Sequence, residues 1–471
     1  MLNIKKFALL TATFLSTYGF VLSSYGMTDD TELETAHHST RRITQEDIAT
    51  AFNFTSSSFQ VWVRNNILAN TLDISANEHG IIKKSDLFEL LRNISTNEIA
   101  PHVVQSEARF CQATLRFDNK IPASTLSDVD AFALFRQVID DTPTHMQTRR
   151  QAHTQAHMQS LAKYYQAYMR CANRISEDTL PGTSAFALFG EASTDNTLPP
   201  LFRGLSKYYQ AYMRCANRIS EDTLPDAAAF ELLRQVCVGN TLPPSYQNQA
   251  RYHQARLRCM NRISEDILPD ATASALLRQL CVDDTVPPAN RGLARFFLAY
   301  LRLQNRILED TLPDATAFAF FRHTSVDHTM PDDVRSQARS FQAYLRVYNR
   351  IPASILPDTA AFELLGQVSV DHTVPPDFQR QARFFRAYLR CMDRVPASTL
   401  SDATAFELFG EVGVNGTVLD VDRGLARFFQ AKLRCMNRIP ASTLSDATAF
   451  ALLRQLSVDD TVTPVHTTQS C

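Results

Sequence analysis

Apolar residues in this chain recur at intervals of three and four, the spacing that places side chains on one face of an α-helix. In a representative segment the first run includes Ala382, Phe385 and Leu389, and a second apolar stripe that includes Phe384 and Tyr388 lies beside it. A helix that is apolar over such a wide arc packs against neighbours on two sides. The pattern therefore predicts a buried helix.

A second helix is predicted after a link of about five residues, which is too short for anything except an antiparallel hairpin. Thr399 and Asp402 have the spacing of a capping box, and Ala405 and Leu408 begin the apolar pattern that follows. Asp393 stands at the end of the first helix, where a residue that tolerates the left-handed conformation is favoured. No run alternates with a period of two, so we expect essentially no β structure.

This hairpin pattern returns every 44 residues and is marked by an Asn-Arg-Ile tripeptide. The tripeptide begins at Asn173, Asn217, Asn261, Asn305, Asn349 and Asn437, with the variant Asp393-Arg394-Val395 in the same register. Related tripeptides begin at Asn65 and Asn119, and each of these two steps is longer by a 10-residue insertion. A fixed period of this size is typical of stacked repeats. We predict an all-α fold, an α-solenoid of about nine stacked antiparallel helical hairpins.

The segment before the repeats predicts export. Lys5 and Lys6 precede an apolar stretch from Phe7 to Leu22, as in a secretory signal peptide over residues 1–26. The stretch is short for a membrane span, so we expect cleavage rather than a retained anchor, no transmembrane segment in the mature chain, and a periplasmic, cell-surface or secreted location. The further segments are a flexible polar leader at 27–43, irregular repeats with both insertions at 44–172, regular repeats at 173–462, and a tail at 463–471.

Basic residues recur at two positions of the first helix of each repeat, seven residues apart. Two helical turns separate them, so they share a face to within about 20°. The resulting candidate ribbon for binding a partner comprises Arg214, Arg251, Arg258, Arg295, Arg302, Arg339, Arg346, Arg383, Arg390, Arg427 and Arg434. One interpretation is a surface for an acidic partner, such as a protein, a nucleic acid or an anionic polysaccharide, and of these we expect a protein. The other is internal pairing with the aspartates that begin the following helices, such as Asp226 and Asp314.

Overall charge favours internal pairing. The chain has 47 basic and 49 acidic residues, a net charge of -2, which gives no general attraction to nucleic acid or to anionic lipid. Nucleic acid is therefore an unlikely partner. The balance leaves open how many of the arginines reach solvent.

Other candidate chemistry is sparse. Most of the nine cysteines share repeat positions, which stacking holds further apart than the roughly 7 Å Cα limit of a disulfide, so we predict buried free thiols. Cys471 is the exception, because a terminal thiol could link two chains. His153 and His157 have the spacing of a helical metal-binding pair, but no third ligand is evident and a solvated helix face is favoured. The sequence predicts no catalytic residue, cofactor or metal.

The sequence thus predicts a non-enzymatic exported scaffold for protein–protein interaction, binding through a concave face formed by one helix of each hairpin. The alternative is a structural envelope or surface protein that associates end to end into homo-oligomers. Leu452, Leu453 and Leu456 keep the internal apolar pattern at the C-terminal end without a polar closing helix, whereas solenoids normally need capped ends. An enzyme within residues 44–160 is a third possibility.

Overall fold

The computed structural model describes residues 84–141, 149–239, 241–414 and 420–458. Within these ranges the chain forms seventeen α-helices and no strand. The helices are α1 (Lys84–Thr96), α2 (His102–Phe117), α3 (Asp128–Asp140), α4 (Arg149–Cys171), α5 (Gly182–Thr194), α6 (Pro200–Cys215), α7 (Asp226–Val238), α8 (Pro244–Cys259), α9 (Asp270–Val282), α10 (Pro288–Leu303), α11 (Asp314–Val326), α12 (Asp332–Val347), α13 (Asp358–Ser369), α14 (Pro376–Cys391), α15 (Asp402–Val414), α16 (Asp420–Cys435) and α17 (Asp446–Val458). The predicted signal peptide, the leader, the repeat residues before Lys84 with the Asn65 tripeptide, and the whole tail lie outside the described residues.

Two kinds of helix alternate. The even-numbered helices, called A helices below, have 16 residues except for the 23-residue α4. The odd-numbered B helices have 13 residues, or 12 in α13. The longer α4 contains His153 and His157, so part of the second predicted insertion extends this helix toward its N-terminus.

The chain divides into two compact units, with the boundary between His253 and Gln254. In the first unit each helix from α1 to α7 packs on the next, and α4 also contacts the A helices α2 and α6. In the second unit each helix from α9 to α17 packs on the next, and α10, α12, α14 and α16 form a row of contacting A helices. Consecutive hairpins therefore pack in a regular repeated pattern, which confirms the predicted α-solenoid.

The Asn of the tripeptide ends each A helix in the left-handed conformation, as predicted. Asn305 has φ 57° and Asp393 has φ 53°. The next N–H turns back to the helix, as in the bond of 3.0 Å from Arg306 N to Leu301 O, which satisfies a carbonyl of the last turn. Ile307 then enters the core with 5% of its surface exposed. The first and third residues of the tripeptide thus end the A helix and anchor the turn.

The start of the B helix differs from the prediction. Helix α15 begins at Asp402, and its cap is Ser401, whose Oγ accepts a hydrogen bond of 3.1 Å from Thr404 N. The predicted box of Thr399 with Asp402 was wrong by two residues. The physical reason is that the Asp402 carboxylate points to two arginines, Arg390 and Arg438, and so does not fold back toward Thr399.

The A helices form the interior layer. In α10 eleven of the 16 residues are buried, against six of 13 in α11. The ring centroids of Phe296 and Phe341, on α10 and α12, lie 5.8 Å apart, and Phe321 of α11 lies 5.3 Å from Phe341. These spacings are those of packed aromatic pairs. Solvent therefore meets mainly the B helices and the links between helices.

Candidate functional site

In seven of the eight A helices the last-turn arginine is buried or half-buried and pairs with the first residue of the following B helix. Arg302 is 7% exposed, and its Nε and Nη2 lie 2.8 and 3.0 Å from the two carboxylate oxygens of Asp314. This two-point geometry is the strong form of the pair. The same pair joins Arg116 to Asp128, Arg214 to Asp226, Arg258 to Asp270, Arg346 to Asp358, Arg390 to Asp402, and Arg434 to Asp446.

A second arginine reaches the same aspartate from the next repeat. Arg350, the middle residue of a tripeptide, donates from Nε to Asp314 Oδ2 at 3.1 Å and pairs through Nη2 with the other oxygen. It also donates to the carbonyls of Arg302 at 2.9 Å and Leu303 at 2.6 Å, which closes the C-terminus of α10. Equivalent contacts join Arg174 to Asp128, Arg306 to Asp270, Arg394 to Asp358, and Arg438 to Asp402.

We call one aspartate with its two arginines an arginine clamp. Each clamp ties three parts of the fold together: an A helix, the following B helix, and the tripeptide of the next hairpin. The Arg–Asp pair within one hairpin follows from the sequence, but the reach of the tripeptide arginine into the preceding hairpin was missed. The sequence does contain a sign of this contact, because an aspartate such as Asp314 and a tripeptide arginine such as Arg350 recur together, 36 residues apart.

One hairpin departs from this scheme. Helix α5 begins with Gly182 where the other complete hairpins have aspartate, and Arg170 pairs instead with Glu177 in the preceding link. Arg218 still donates to the carbonyl of Arg170 at 3.2 Å. A Cβ on Gly182 would lie 2.7 Å from the Arg218 carbonyl oxygen, so the close approach of the next hairpin requires glycine there. Glu177 therefore supplies the carboxylate that pairs with Arg170, and Arg218 keeps its bonds to the end of α4.

The other arginine row, near the middle of the A helices, is half-buried or exposed. Arg383 lies 3.2 Å from Glu411, Arg339 lies 3.8 Å from Asp371, and Arg251 donates to Asn248 at 2.8 Å. Arg295 is half-buried and forms none of the ion pairs seen among the described residues, and Arg427 is exposed. This row can still meet a partner, and its binding role stays a prediction.

The two rows therefore do not form one exposed ribbon. The row of Arg214, Arg258, Arg302, Arg346, Arg390 and Arg434 is paired with the aspartates that begin the following helices, as the internal-pairing interpretation expects. A partner would have to compete with these ion pairs for the six guanidinium groups.

Three of the clamp carboxylates have a lowered pKa. Burial by itself raises the pKa of Asp358 and Asp402, but hydrogen bonds and charge from two arginines outweigh it, so both pKa values lie below the ordinary range. The pKa of Asp128 is lowered for the same reasons. These three carboxylates are thus held in the charged form.

Acid is expected to weaken the array through these groups. A carboxylate with a lower pKa in the folded chain adds stability above its unfolded pKa of about 4, and this stability is lost as the pH falls through the folded pKa. Urea unfolding followed by circular dichroism should therefore give a midpoint that is flat near neutral pH and falls below about pH 4. The Asp358→Asn variant should show a shallower fall. A midpoint that is the same in acid and at neutral pH would contradict the expectation.

The cysteines and histidines offer little reactive chemistry. All eight described cysteines are free thiols, as predicted, but only five of them are buried and Cys435 is exposed. Burial raises the pKa of Cys171 and Cys259 to about 12. Such thiols are poor nucleophiles. Nδ1 of His157 lies 2.9 Å from the carbonyl of Thr197, and no group of three or more metal-ligating side chains occurs in the part of the chain that the structure describes.

The exposed surface of the B helices has a recurring layout. Counted from the first helical residue, positions two, six, nine and thirteen lie within an arc of about 60° and point away from the buried positions four and eight. We call these four positions the outer ridge. In α11 the ridge comprises Ala315, Ala319, Arg322 and Val326, all exposed. In α13 it comprises Thr359, Glu363 and Gly366, and it continues to the exposed C-cap residue Val370.

Comparisons with known proteins identify no family. Neither a protein-family model, nor a curated protein, nor a solved structure gives a significant match to the chain. None of the described helices combines the length and the apolar character needed to cross a membrane. What the molecule offers to a partner must therefore be inferred from its own exposed side chains.

Proposed function

We propose that this chain is a non-enzymatic repeat scaffold that binds another protein through the outer ridges of its B helices and the adjoining links. In this proposal the clamp arginines hold the hairpins together. The half-buried arginine row borders the contact surface, where Arg295 and Arg427 can add charge.

The proposal rests on the contrast between the fixed interior and the varied ridge of the B helices. Position four is alanine in all eight complete hairpins, and it is at most 2% exposed in each: Ala131, Ala185, Ala229, Ala273, Ala317, Ala361, Ala405 and Ala449. Ridge position six changes between alanine and glutamate, and position nine between arginine and glycine. Substitution of charge at the ridge changes what the surface can bind without disturbing the stacking.

The chemistry of the ridge favours a protein partner. It carries both signs of charge together with exposed valines, such as Val326 at 65% and Val370 at 68% exposure. Nucleic acid is bound by surfaces of one sign, because its phosphates dominate the interaction. Mixed charge around apolar contacts is typical of protein–protein interfaces.

Export belongs to the same proposal. The signal peptide expected at residues 1–26 would place the array outside the cytoplasm, in the periplasm, at the cell surface or in the medium. N-terminal sequencing of the chain recovered from outside the cytoplasm should then begin after Gly26, whereas recovery only of a chain that starts at Met1 would contradict export.

Site-specific photo-crosslinking tests the binding surface. A benzophenone side chain at Ala133 or Ala187, on the ridges of α3 and α5, should give an adduct of fixed added mass with one partner protein. The matched positions Ala123 and Ser176 are exposed in the links before these helices but lie off the ridge. Equal labelling from the link positions, or no adduct from the ridge positions, would argue against the ridge as the binding surface.

End-to-end assembly is a second candidate, favoured by the last described helix. Phe450 in α17 is 69% exposed, whereas the equivalent Phe318 and Phe362 are 7% and 6% exposed because another hairpin covers them. A face of this kind could accept a hairpin from another chain. Mass that grows without limit as concentration rises would indicate such assembly, and a fixed mass would count against it.

A further inference from the structure

We propose that two copies of this chain associate side by side and antiparallel, through the outer ridges of α9, α11, α13 and α15, around a two-fold axis between α11 and α13. The contact surface lies within the second compact unit. It is separate from the C-terminal end and leaves the ridges of α3, α5 and α7 to an outside partner, so the dimer and the proposed scaffold function can be tested independently.

The first observation is a separation of charge along these four ridges. Arg278 and Arg322 occupy position nine of α9 and α11, and Glu363 and Glu407 occupy position six of α13 and α15. All four side chains are exposed. None of them takes part in the ion pairs found among the described residues. The surface is thus basic on two neighbouring ridges and acidic on the next two.

The second observation is that small residues fill the alternate ridge positions. Where position nine is arginine, position six is Ala275 or Ala319, and where position six is glutamate, position nine is Gly366 or Gly410. A Cβ on Gly366 would meet only an ordinary contact of 3.7 Å with Arg386, so packing within the chain does not require glycine there. Ala275, Ala319 and Gly366 leave room for a long side chain from outside, whereas Gly410 lies close to the Gln430 side chain of the same chain.

Helix α7 shows what happens when both charges occur on one ridge. Its Glu231 and Arg234 lie three residues apart and pair at 2.7 Å. On α9 to α15 the same two residue types stand on different helices and form no ion pair with any residue that the structure describes. The segregated ridges thus keep their charges available for a second surface.

A two-fold axis between α11 and α13 places the basic ridges of each copy against the acidic ridges of the other copy. Arg322 of one copy would face Glu363 of the second copy, and Glu363 of the first would face Arg322 of the second. Arg278 and Glu407 would form the flanking pairs in the same reciprocal way. This is the self-complementary contact of a closed dimer. A parallel arrangement would place like charges together, which is unfavourable.

The apolar groups and the shape of the surface agree with this arrangement. Val326 and Val370 lie on the two ridges beside the proposed axis and are both more than half exposed. A helix of 13 residues is about 20 Å long, so the four ridges together form an elongated contact surface.

A charge-exchange experiment tests the dimer. Arg322→Glu alone would set glutamate against Glu363, and Glu363→Arg alone would set arginine against Arg322. Each variant should associate at least about tenfold more weakly than the unchanged chain in sedimentation equilibrium. An equimolar mixture of the two variants should regain the dimer mass as a heterodimer, because both of its contacts become complementary. The regained mass also demonstrates that both variants are folded.

Arg136→Glu is the matched control, since Arg136 is exposed at ridge position nine of α3 in the other compact unit. It should dimerise as the unchanged chain does. A monomeric unchanged chain, single variants that dimerise normally, or a mixture without heterodimer would each overturn the proposal. A mass above that of the dimer, equal in the variants and in the unchanged chain, would indicate that association occurs through the chain end instead.

Discussion

Replacing Asp314 with alanine is expected to lower the free energy of unfolding by about 3–5 kcal/mol, the range for breaking a buried ion pair by removal of one partner. The loss is large because two buried guanidinium groups, those of Arg302 and Arg350, lose their shared carboxylate at once. Neither arginine can reach water without opening the contact between hairpins. Urea unfolding followed by circular dichroism measures the change.

Asp446→Ala is the matched control for this substitution. Asp446 occupies the same position in α17 and pairs with Arg434 at 2.8 Å, but its side chain is 83% exposed, against 8% for Asp314. Exposed ion pairs contribute about 0–1 kcal/mol, so this variant should unfold almost as the unchanged chain does. If both variants lost the same free energy of unfolding, the buried clamp would stabilise the fold no more than an exposed ion pair does.

The clamp also explains what the sequence could and could not predict. The spacing of apolar residues predicted the hairpins, because that pattern depends only on residues within a few helical turns of each other in the sequence. The left-handed Asn305 was predictable for a similar reason, since helix ends follow local rules. By contrast, Arg350 acts on Asp314 in the preceding hairpin. A repeat pattern states that the two residues recur, but not which copies meet.

Exposure was the property hardest to predict for the arginine rows. Arg295 and Arg302 share a helix face by spacing, yet Arg302 is buried in a clamp and Arg295 is only half-buried. Helical spacing predicts which side of its own helix a residue lies on, but not which turns of that helix the next hairpin covers. The difference arises because the tripeptide of the next hairpin covers the C-terminal turn of each A helix and not its middle.

If the clamps make the hairpins equivalent, one whole period can be removed without loss of the fold. Deletion of residues 306–349 removes one period of 44 residues and joins Asn305 directly to Arg350. Arg350 then stands where Arg306 stood and can take over its contacts to Asp270 and to the carbonyls of Arg258 and Cys259. The shortened chain should unfold cooperatively, with about 2–6 kcal/mol less stability for the 44 residues lost.

Deletion of residues 306–327 provides the contrast, because it removes α11 but keeps α12. Arg302 then loses Asp314, and two A helices follow each other with no B helix between them. Although only half as much chain is lost, stability should fall further than in the longer deletion, since the apolar faces that α11 covered have no replacement. Thermal unfolding of both variants distinguishes the cases. If the shorter deletion is the more stable of the two, the 44-residue hairpin is not the unit of this fold.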